Sequence, residues 1–144
     1  MKTVWSSIVV VALLAAGCGR SSATEQAKVG AASAESAQKN VVAITSVEQF
    51  DQYVAEGLVL VDFWATWCPP CRFMNPIIAE VAGEQTDSLK VAKVDVDNNN
   101  ELAARYKVEA IPTFVLFKDG KAIDLKVGAF SKQKLLEWLD KNRG

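Results

Sequence analysis

Val61-Asp62-Phe63-Trp64-Ala65-Thr66-Trp67-Cys68-Pro69-Pro70-Cys71 is the stretch that decides the fold. An apolar run typical of a buried strand leads into two cysteines separated by two prolines. Cysteines at this spacing, where a strand gives way to a helix, can close a small disulfide ring and open it again. The C-x-x-C spacing beside a strand and a helix therefore predicts a redox site.

The composition narrows the chemistry open to this pair. The chain has 144 residues, of which 50% are hydrophobic, enough for one domain with a core. Its net charge is −1 with acidic and basic residues mixed, so we expect no nucleic-acid partner. The chain has no histidine, which excludes Cys–His catalytic pairs, His-ligated metals and C-x-x-C-H haem attachment. We expect no metal and no cofactor.

Residues 1–17 have the features of an export signal. A basic start at Lys2 precedes an apolar run and the small residues Ala15-Ala16-Gly17. The apolar run, roughly 14 residues, is shorter than the ~20 that a membrane-spanning helix needs. We therefore expect an exported protein without a permanent anchor helix.

The residues around Cys18 resemble the lipobox of bacterial lipoproteins, in which the cysteine is lipidated. Leu14 stands four residues before Cys18, one position farther than the usual aliphatic residue. We expect Cys18 to be a lipidated membrane attachment point; cleavage and release is the alternative. A lipoprotein would face the periplasm or the extracellular side, and Gly19 favours the outer membrane because it replaces the Asp of an inner-membrane retention signal.

Residues 18–40 are predicted to be a tether. The segment after Cys18 is rich in Ser, Ala, Gln and Gly, and Val29 is its only branched aliphatic residue. It cannot bury enough apolar surface to offset its chain entropy. A flexible coil of this length holds a domain on the order of 25 Å from its anchor. The alternative is an Ala-rich helix packed on the domain.

Residues 41–144 have the hydrophobic periodicity of a folded domain. The predicted order is β-α-β-α-β-α-β-β-α, an α/β mixed sheet with helices on both faces. A capping box of Ser46 and Gln49 predicts the first helix start, and Gly57 its end. Pro76 is expected to kink the second helix. The core-facing positions of the second and last helices are predicted to be Met74, Ile77, Ile78 and Val81, and Leu135, Leu136, Trp138 and Leu139.

Residues 41–144 resemble thioredoxins. The resemblance lies in four separated motifs: VDFWATWCPPC (61–71), KVDVDNNNELAARYKV (93–108), IPTFVLFKDGK (111–121) and KVGAFSKQKLLEWL (126–139). It implies the thioredoxin fold, thiol–disulfide oxidoreductase activity, and a cis peptide before Pro112 that faces the disulfide. Pro69-Pro70 replaces the usual Gly-Pro. The same dipeptide recurs in some thioredoxins and in membrane-tethered reductases of cytochrome c maturation, but the insertions usual in those reductases are absent between Cys71 and Pro112.

Cys68 is the predicted attacking thiol and Cys71 the resolving thiol. Cys68 precedes a helix whose first N–H groups lack intrahelical partners, which stabilises an accessible thiolate. Cys71 lies one turn into the helix, should be the more buried, and attacks the mixed disulfide to release reduced substrate. The alternative is a structural disulfide, although so short a loop gains little stability from closure.

Asp62 and Lys93 are the predicted accessory residues. A carboxylate within an apolar strand is costly unless paired, so the pKa of Asp62 should be raised. The resemblance implies that Asp62 lies behind Cys71 and takes its proton, and that Lys93 is the partner lysine. The alternative for Asp62 is a buried polar group that specifies the fold, and the alternative for Lys93 is a solvated strand residue.

An apolar rim around the disulfide is also implied by the resemblance. A substrate's extended backbone would lie on it and pair with exposed main-chain groups. Trp64 is expected to lie in the core instead. The matching rim residues are Trp67, Ile111, Pro112, Gly128 and Ala129.

These residues predict a monomeric, tethered reductase of disulfide-containing proteins. Its electrons would come from a membrane or thioredoxin-reductase-type donor. The same site could instead run as an oxidase or isomerase, because thioredoxin-like potentials span about 150 mV. A thiolate metal-binding module is a further alternative, but zinc normally takes four ligands. The last alternative is a non-catalytic interaction domain.

Overall fold

The computed structural model describes residues 40–144, so the predicted signal, Cys18 and nearly all of the tether lie outside the described residues. The predicted order of strands and helices is confirmed. The elements are β1 (Val41–Ile44), α1 (Val47–Val54), β2 (Leu58–Trp64), α2 (Pro69–Glu84), β3 (Lys90–Asp95), α3 (Asn100–Arg105), β4 (Thr113–Lys118), β5 (Lys121–Val127) and α4 (Lys132–Lys141).

The five strands form one mixed sheet in the order β1-β3-β2-β4-β5. β1 and β2 both run parallel to β3, whereas β4 is antiparallel to β2 and to β5. β2 is therefore the central strand, and its residues from Val59 to Phe63 are fully buried. The cysteine pair that follows β2 lies at the middle of one end of the sheet.

Helices cover both faces of the sheet, as predicted. Alternate residues of β2 point to opposite faces, so Leu60 packs with α2 and α4 while Val61 packs with α1 and α3. Met74 and Leu135 fill the first core, and Phe50 fills the second. Two predicted core positions, Ile77 and Leu136, are only partly buried and pack against the outside of the first core.

The starts and turns of the elements follow local chemistry. The Ser46 side chain accepts from the Gln49 amide at 3.2 Å, as the capping box requires. The Gln49 side chain, however, accepts from the Thr45 amide at 2.8 Å rather than from that of Ser46. Asp119 and Gly120 have φ values of 48° and 80°, the conformation of a tight hairpin between β4 and β5.

Two features of the helices bear on the predictions. α1 ends at Val54, three residues before Gly57, which has a φ of 78°. α2 continues through Pro76 without interruption from Pro69 to Glu84.

Within residues 40–144, every helix is too short or too polar to cross a bilayer.

Candidate active site

Cys68 and Cys71 form a disulfide at the start of α2. Their sulfur atoms are 2.06 Å apart. Cys68 is the N-cap residue of α2, and its Sγ accepts a hydrogen bond from the Cys71 amide at 3.2 Å. Pro69 and Pro70 occupy the first helical positions, where a missing N–H costs no helical hydrogen bond. The structure therefore places the Cys68 sulfur at the positive end of the α2 dipole, which stabilises a thiolate after reduction.

Cys68 is more enclosed than the sequence predicted. Cys71 is fully buried, in agreement with the prediction, but Cys68 is also only 2% exposed. The pair packs with Ala65 and against the partly buried Trp64 and Ile111. In the disulfide state the Cys68 sulfur, which the sequence predicted to be accessible, is thus covered by its neighbours.

Asp62 and Lys93 form a buried ion pair on neighbouring strands. The two residues are direct partners in the β2–β3 register, and Lys93 Nζ lies 2.9 Å from Asp62 Oδ2. Asp62 is fully buried, and the Lys93 side chain is 17% exposed. Burial raises the pKa of Asp62 above its ordinary value, and the charge and hydrogen bond of Lys93 offset part of this increase. The predicted raised pKa and the predicted partnership agree with this geometry; the proton-transfer role stays a prediction.

Asn75 is a third member of this site that the sequence interpretation missed. Lys93 Nζ donates to Asn75 Oδ1 as well as to Asp62, and it lies 4.5 Å from the centroid of the Trp64 ring. Trp64 is only partly buried and lies beside the Lys93 ammonium group, whereas the sequence predicted a core position. Asp62 Oδ1 has no hydrogen-bond partner among the described residues. The signal for Asn75 was its position four residues after Cys71, because residues at that spacing share a helix face.

Four of the predicted rim residues belong to two segments, 111–112 and 128–129, which a backbone hydrogen bond joins. The Ile111–Pro112 peptide is cis, as the resemblance implied, and Pro112 O accepts from Gly128 N at 2.8 Å. Pro112 itself is buried, whereas Ile111 and Gly128 are partly exposed and Ala129 is exposed. The exposed part of the predicted rim therefore consists of Ile111, Gly128 and Ala129, whereas Pro112 is buried beneath it.

Two large aromatic residues close to the cysteines in the sequence, Trp67 and Phe73, are exposed. Trp67 is 64% exposed, and its Nε1 donates to Asp97 Oδ2 at 2.8 Å, which orients the ring. Phe73 is 59% exposed and was not predicted. Its signal was an apolar side chain on α2 that lies outside the core-facing stripe. Large exposed aromatics next to a reactive centre are typical of a contact surface.

Comparison with known proteins identifies the family. The thioredoxin family model matches residues 41–141. The chain is 44% identical to a thioredoxin of Staphylococcus epidermidis over 102 residues, which are 71% of this chain and 97% of that protein. A thioredoxin of Staphylococcus haemolyticus is 43% identical over the same length. The chain belongs to the thioredoxin family.

Solved thioredoxin structures agree with this assignment. A single-residue mutant of a thioredoxin from Halobacterium salinarum aligns with a TM-score of 0.68 and 31% identity, covering 73% of this chain and 92% of that one. The thioredoxin of Malassezia sympodialis aligns with a TM-score of 0.65 and 38% identity, covering 72% and 91%. The protein is thus a thiol–disulfide oxidoreductase of the thioredoxin family, with Cys68 and Cys71 as its cysteine pair. Among residues 40–144 there is no group of three His, Cys, Asp or Glu side chains that could hold a metal ion.

Lys93→Met is expected to raise the pKa of Asp62 further. The substitution removes the cation 2.9 Å from Asp62 Oδ2 and leaves a fully buried carboxylate without its counter-charge. The pKa is measured by following the Asp62 carboxyl carbon by NMR as a function of pH. Lys90→Met is the matched control, because Lys90 lies on the same strand but donates to Tyr53 O. An unchanged Asp62 titration in Lys93→Met contradicts the coupling.

Gly128→Ala is expected to destabilise the thioredoxin-family domain by about 1–2 kcal/mol. Gly128 has a φ of 91°, and no atom lies within 4 Å of the position that a Cβ would take. The cost therefore comes from backbone strain rather than from a clash. Urea unfolding measures it. Gly144→Ala is the control, because it adds the same methyl group at a position without positive φ. Equal stability of the two variants would show that Gly128 relaxes freely.

Proposed function

We propose that the protein is an extracytoplasmic, membrane-tethered reductase of protein disulfides. The observation that carries the redox step is the Cys68 sulfur at the start of α2, where it accepts a hydrogen bond from the Cys71 amide, with the buried Asp62–Lys93 pair on the neighbouring strands. The first feature favours a thiolate as attacking group, and the second supplies a proton acceptor of raised pKa.

The proposed reaction has two exchange steps. The Cys68 thiolate attacks one sulfur of a substrate disulfide, forms a mixed disulfide and releases the other substrate sulfur as a thiolate. Asp62 takes the proton of the Cys71 thiol, and the Cys71 thiolate then attacks Cys68 Sγ. This step closes the Cys68–Cys71 disulfide and releases the second substrate thiolate. Two electrons pass to the substrate, and a membrane-bound or thioredoxin-reductase-type donor returns them to the cysteine pair.

The sequence before the domain supports the proposed location. Residues 1–17 have the pattern of an export signal, and Cys18 follows a lipobox-like stretch. The family match begins only at residue 41, so these residues are additional to the thioredoxin domain. A lipidated Cys18 followed by a tether would hold a monomeric domain beside the membrane. Gly19 makes the outer membrane the preferred location.

Mass spectrometry of the protein expressed with its own leader tests the location. We expect acyl chains on Cys18 as the first residue, and loss of membrane association in Cys18→Ala. A soluble product cleaved without lipid contradicts the tether. The direction of electron flow is tested separately by equilibrating the Cys68–Cys71 pair with glutathione. A strongly oxidising potential would support the oxidase or isomerase alternative instead.

A further inference from the structure

We propose that a basic groove beside the active-site rim binds an acidic segment of the protein whose disulfide is reduced. The groove is a cavity of about 610 Å³ between the end of β5 and α4, open to solvent. This inference rests on the proposed reductase function and adds a substrate class to it. The basic groove is lined by Val127 and Ala129 and by the charged and aromatic side chains of Lys126, Phe130, Lys134, Glu137, Trp138 and Lys141.

Three ammonium groups give the basic groove its charge. Lys126, Lys134 and Lys141 make no ion pair with any residue in the described part of the chain. By contrast, Lys132 on the same helix lies 2.7 Å from Glu80 and 2.6 Å from Glu84. The charge of the groove is thus left for a partner to neutralise, in a protein whose net charge is only −1.

The carboxylates near the basic groove offset only part of this charge, and the attraction of Lys141 is one of the causes that lower the pKa of Asp124. Glu137 is the one acidic residue that lines it, and Glu137 Oε1 accepts a hydrogen bond from Gln133 at 2.9 Å. Asp124 lies behind Trp138, and its Oδ2 accepts from Trp138 Nε1 at 2.8 Å and from Asn142 at 3.1 Å. Three cations therefore face one lining carboxylate, which favours an anionic ligand.

Phe130 and Trp138 contribute aromatic rings to the lining of the basic groove. Lys126 Nζ lies 4.7 Å from the centroid of the Phe130 ring and 5.9 Å from that of Trp138, so cation–π contacts hold it over the rings. Trp138 is only 8% exposed and is anchored by its bond to Asp124. These contacts place the Lys126 ammonium group in the groove, where a carboxylate of a bound peptide can meet it.

The basic groove is continuous with the predicted substrate rim. Ala129 is exposed and belongs to both, and the preceding Gly128 donates to Pro112 O at 2.8 Å. A substrate strand that lies on the Pro112 segment and continues past Ala129 therefore enters the groove. Attraction there raises the local concentration of substrates with Asp or Glu residues flanking the disulfide.

Two peptides that share one disulfide loop test this inference. One carries a flanking segment rich in Asp and Glu, and the other a neutral Ser- and Gln-rich segment. The second-order rate constant for oxidation of the reduced full chain is measured with each. We expect the acidic peptide to react about tenfold faster at low salt, with the difference lost in roughly 0.5 M salt.

Matched charge variants assign the effect to the basic groove. Lys134→Gln/Lys141→Gln should lose most of the preference while reducing the neutral peptide at the wild-type rate. Lys107→Gln/Lys121→Gln removes the same charge from exposed positions elsewhere and should retain it. Equal rates for the two peptides, or equal losses in both variants, overturn the inference. Failure to reduce even the neutral peptide would instead contradict the proposed function.

A membrane surface is the competing occupant, and vesicles distinguish it. Binding of the full chain to vesicles with about one-third phosphatidylglycerol is compared between the wild type and Lys134→Gln/Lys141→Gln. Wild-type-like binding by the variant, together with the peptide preference, supports a protein partner. Binding lost in the variant, without any peptide preference, overturns the acidic-peptide inference.

Discussion

Replacing Cys68 by Ser is expected to reduce disulfide exchange by about three orders of magnitude or more, to the uncatalysed background. Cys68 Sγ receives the Cys71 amide hydrogen bond at the start of α2, and a serine hydroxyl there remains protonated and does not attack disulfides. Cys71→Ser should have a different effect. Its Cys68 still attacks, but no resolving thiol follows, so the substrate stays covalently bound.

Insulin reduction and mass spectrometry separate these two outcomes. Cys68→Ser should show neither turnover nor an adduct, whereas Cys71→Ser should show an adduct that dithiothreitol releases. Cys18→Ala is the control, because Cys18 is predicted to be lipidated rather than redox-active and its loss should leave exchange unchanged. Turnover that persists in Cys68→Ser would contradict the proposed mechanism.

Asp62→Asn is expected to make the protein more stable and less active. Asp62 is fully buried, and its Oδ1 has no hydrogen-bond partner among the described residues. A buried charged group that is only partly satisfied costs about 1–3 kcal/mol or more, and the neutral amide avoids the cost of charge burial. We therefore expect the free energy of unfolding to rise by roughly 1–3 kcal/mol at alkaline pH.

The stability difference should depend on pH in a defined direction. The pKa of Asp62 in the folded protein lies above its ordinary value of 3.8, so the folded state holds this proton more tightly than the unfolded chain. The wild type therefore loses stability as the pH rises from 3.8 through the raised folded pKa. Asp62→Asn lacks this loss, so its advantage should be small below that window and largest above it.

Urea unfolding of both proteins between about pH 4 and pH 9 measures this advantage. Asp87→Asn, at an exposed position, is the control and should show no comparable gain. Stopped-flow measurement of the resolving step should show Asp62→Asn slowed by about 10²-fold, because the Cys71 thiol loses its proton acceptor. A constant stability difference across this range would contradict the raised pKa, and an unchanged resolving rate would contradict the catalytic role.

Most of the fold was predictable because its signals are local. The continuous apolar run of β2 indicated a buried strand, and Ser46 marked the start of α1. The order of strands in the sheet was not predicted, because hydrophobic periodicity does not specify which strands are neighbours. The partial burial of Ile77 and Leu136 has a similar cause, since both lie at the margin of the apolar stripe of their helices.

The site residues that belong to the sequence motifs were predicted, whereas the features that depend on tertiary packing were missed. Cys68, Cys71, Asp62 and Lys93 followed from the motifs, and the structure places Asp62 and Lys93 in contact. Asn75 was missed because its contact depends on how α2 lies across β3, which no short stretch of sequence encodes. The enclosure of Cys68 was missed for the same reason, since Ile111 comes from a distant segment of the chain.

The central position of β2 has a consequence for local unfolding. Asp62 lies on the strand with two neighbours on either side, and Cys68 follows its end, while β1 and β5 form the outer edges. Edge strands open at lower free energy than central ones, and their amide hydrogens exchange with solvent first. Opening of either edge strand therefore leaves Asp62 and the Cys68–Cys71 pair in place, and we expect the amides of β2 to exchange last.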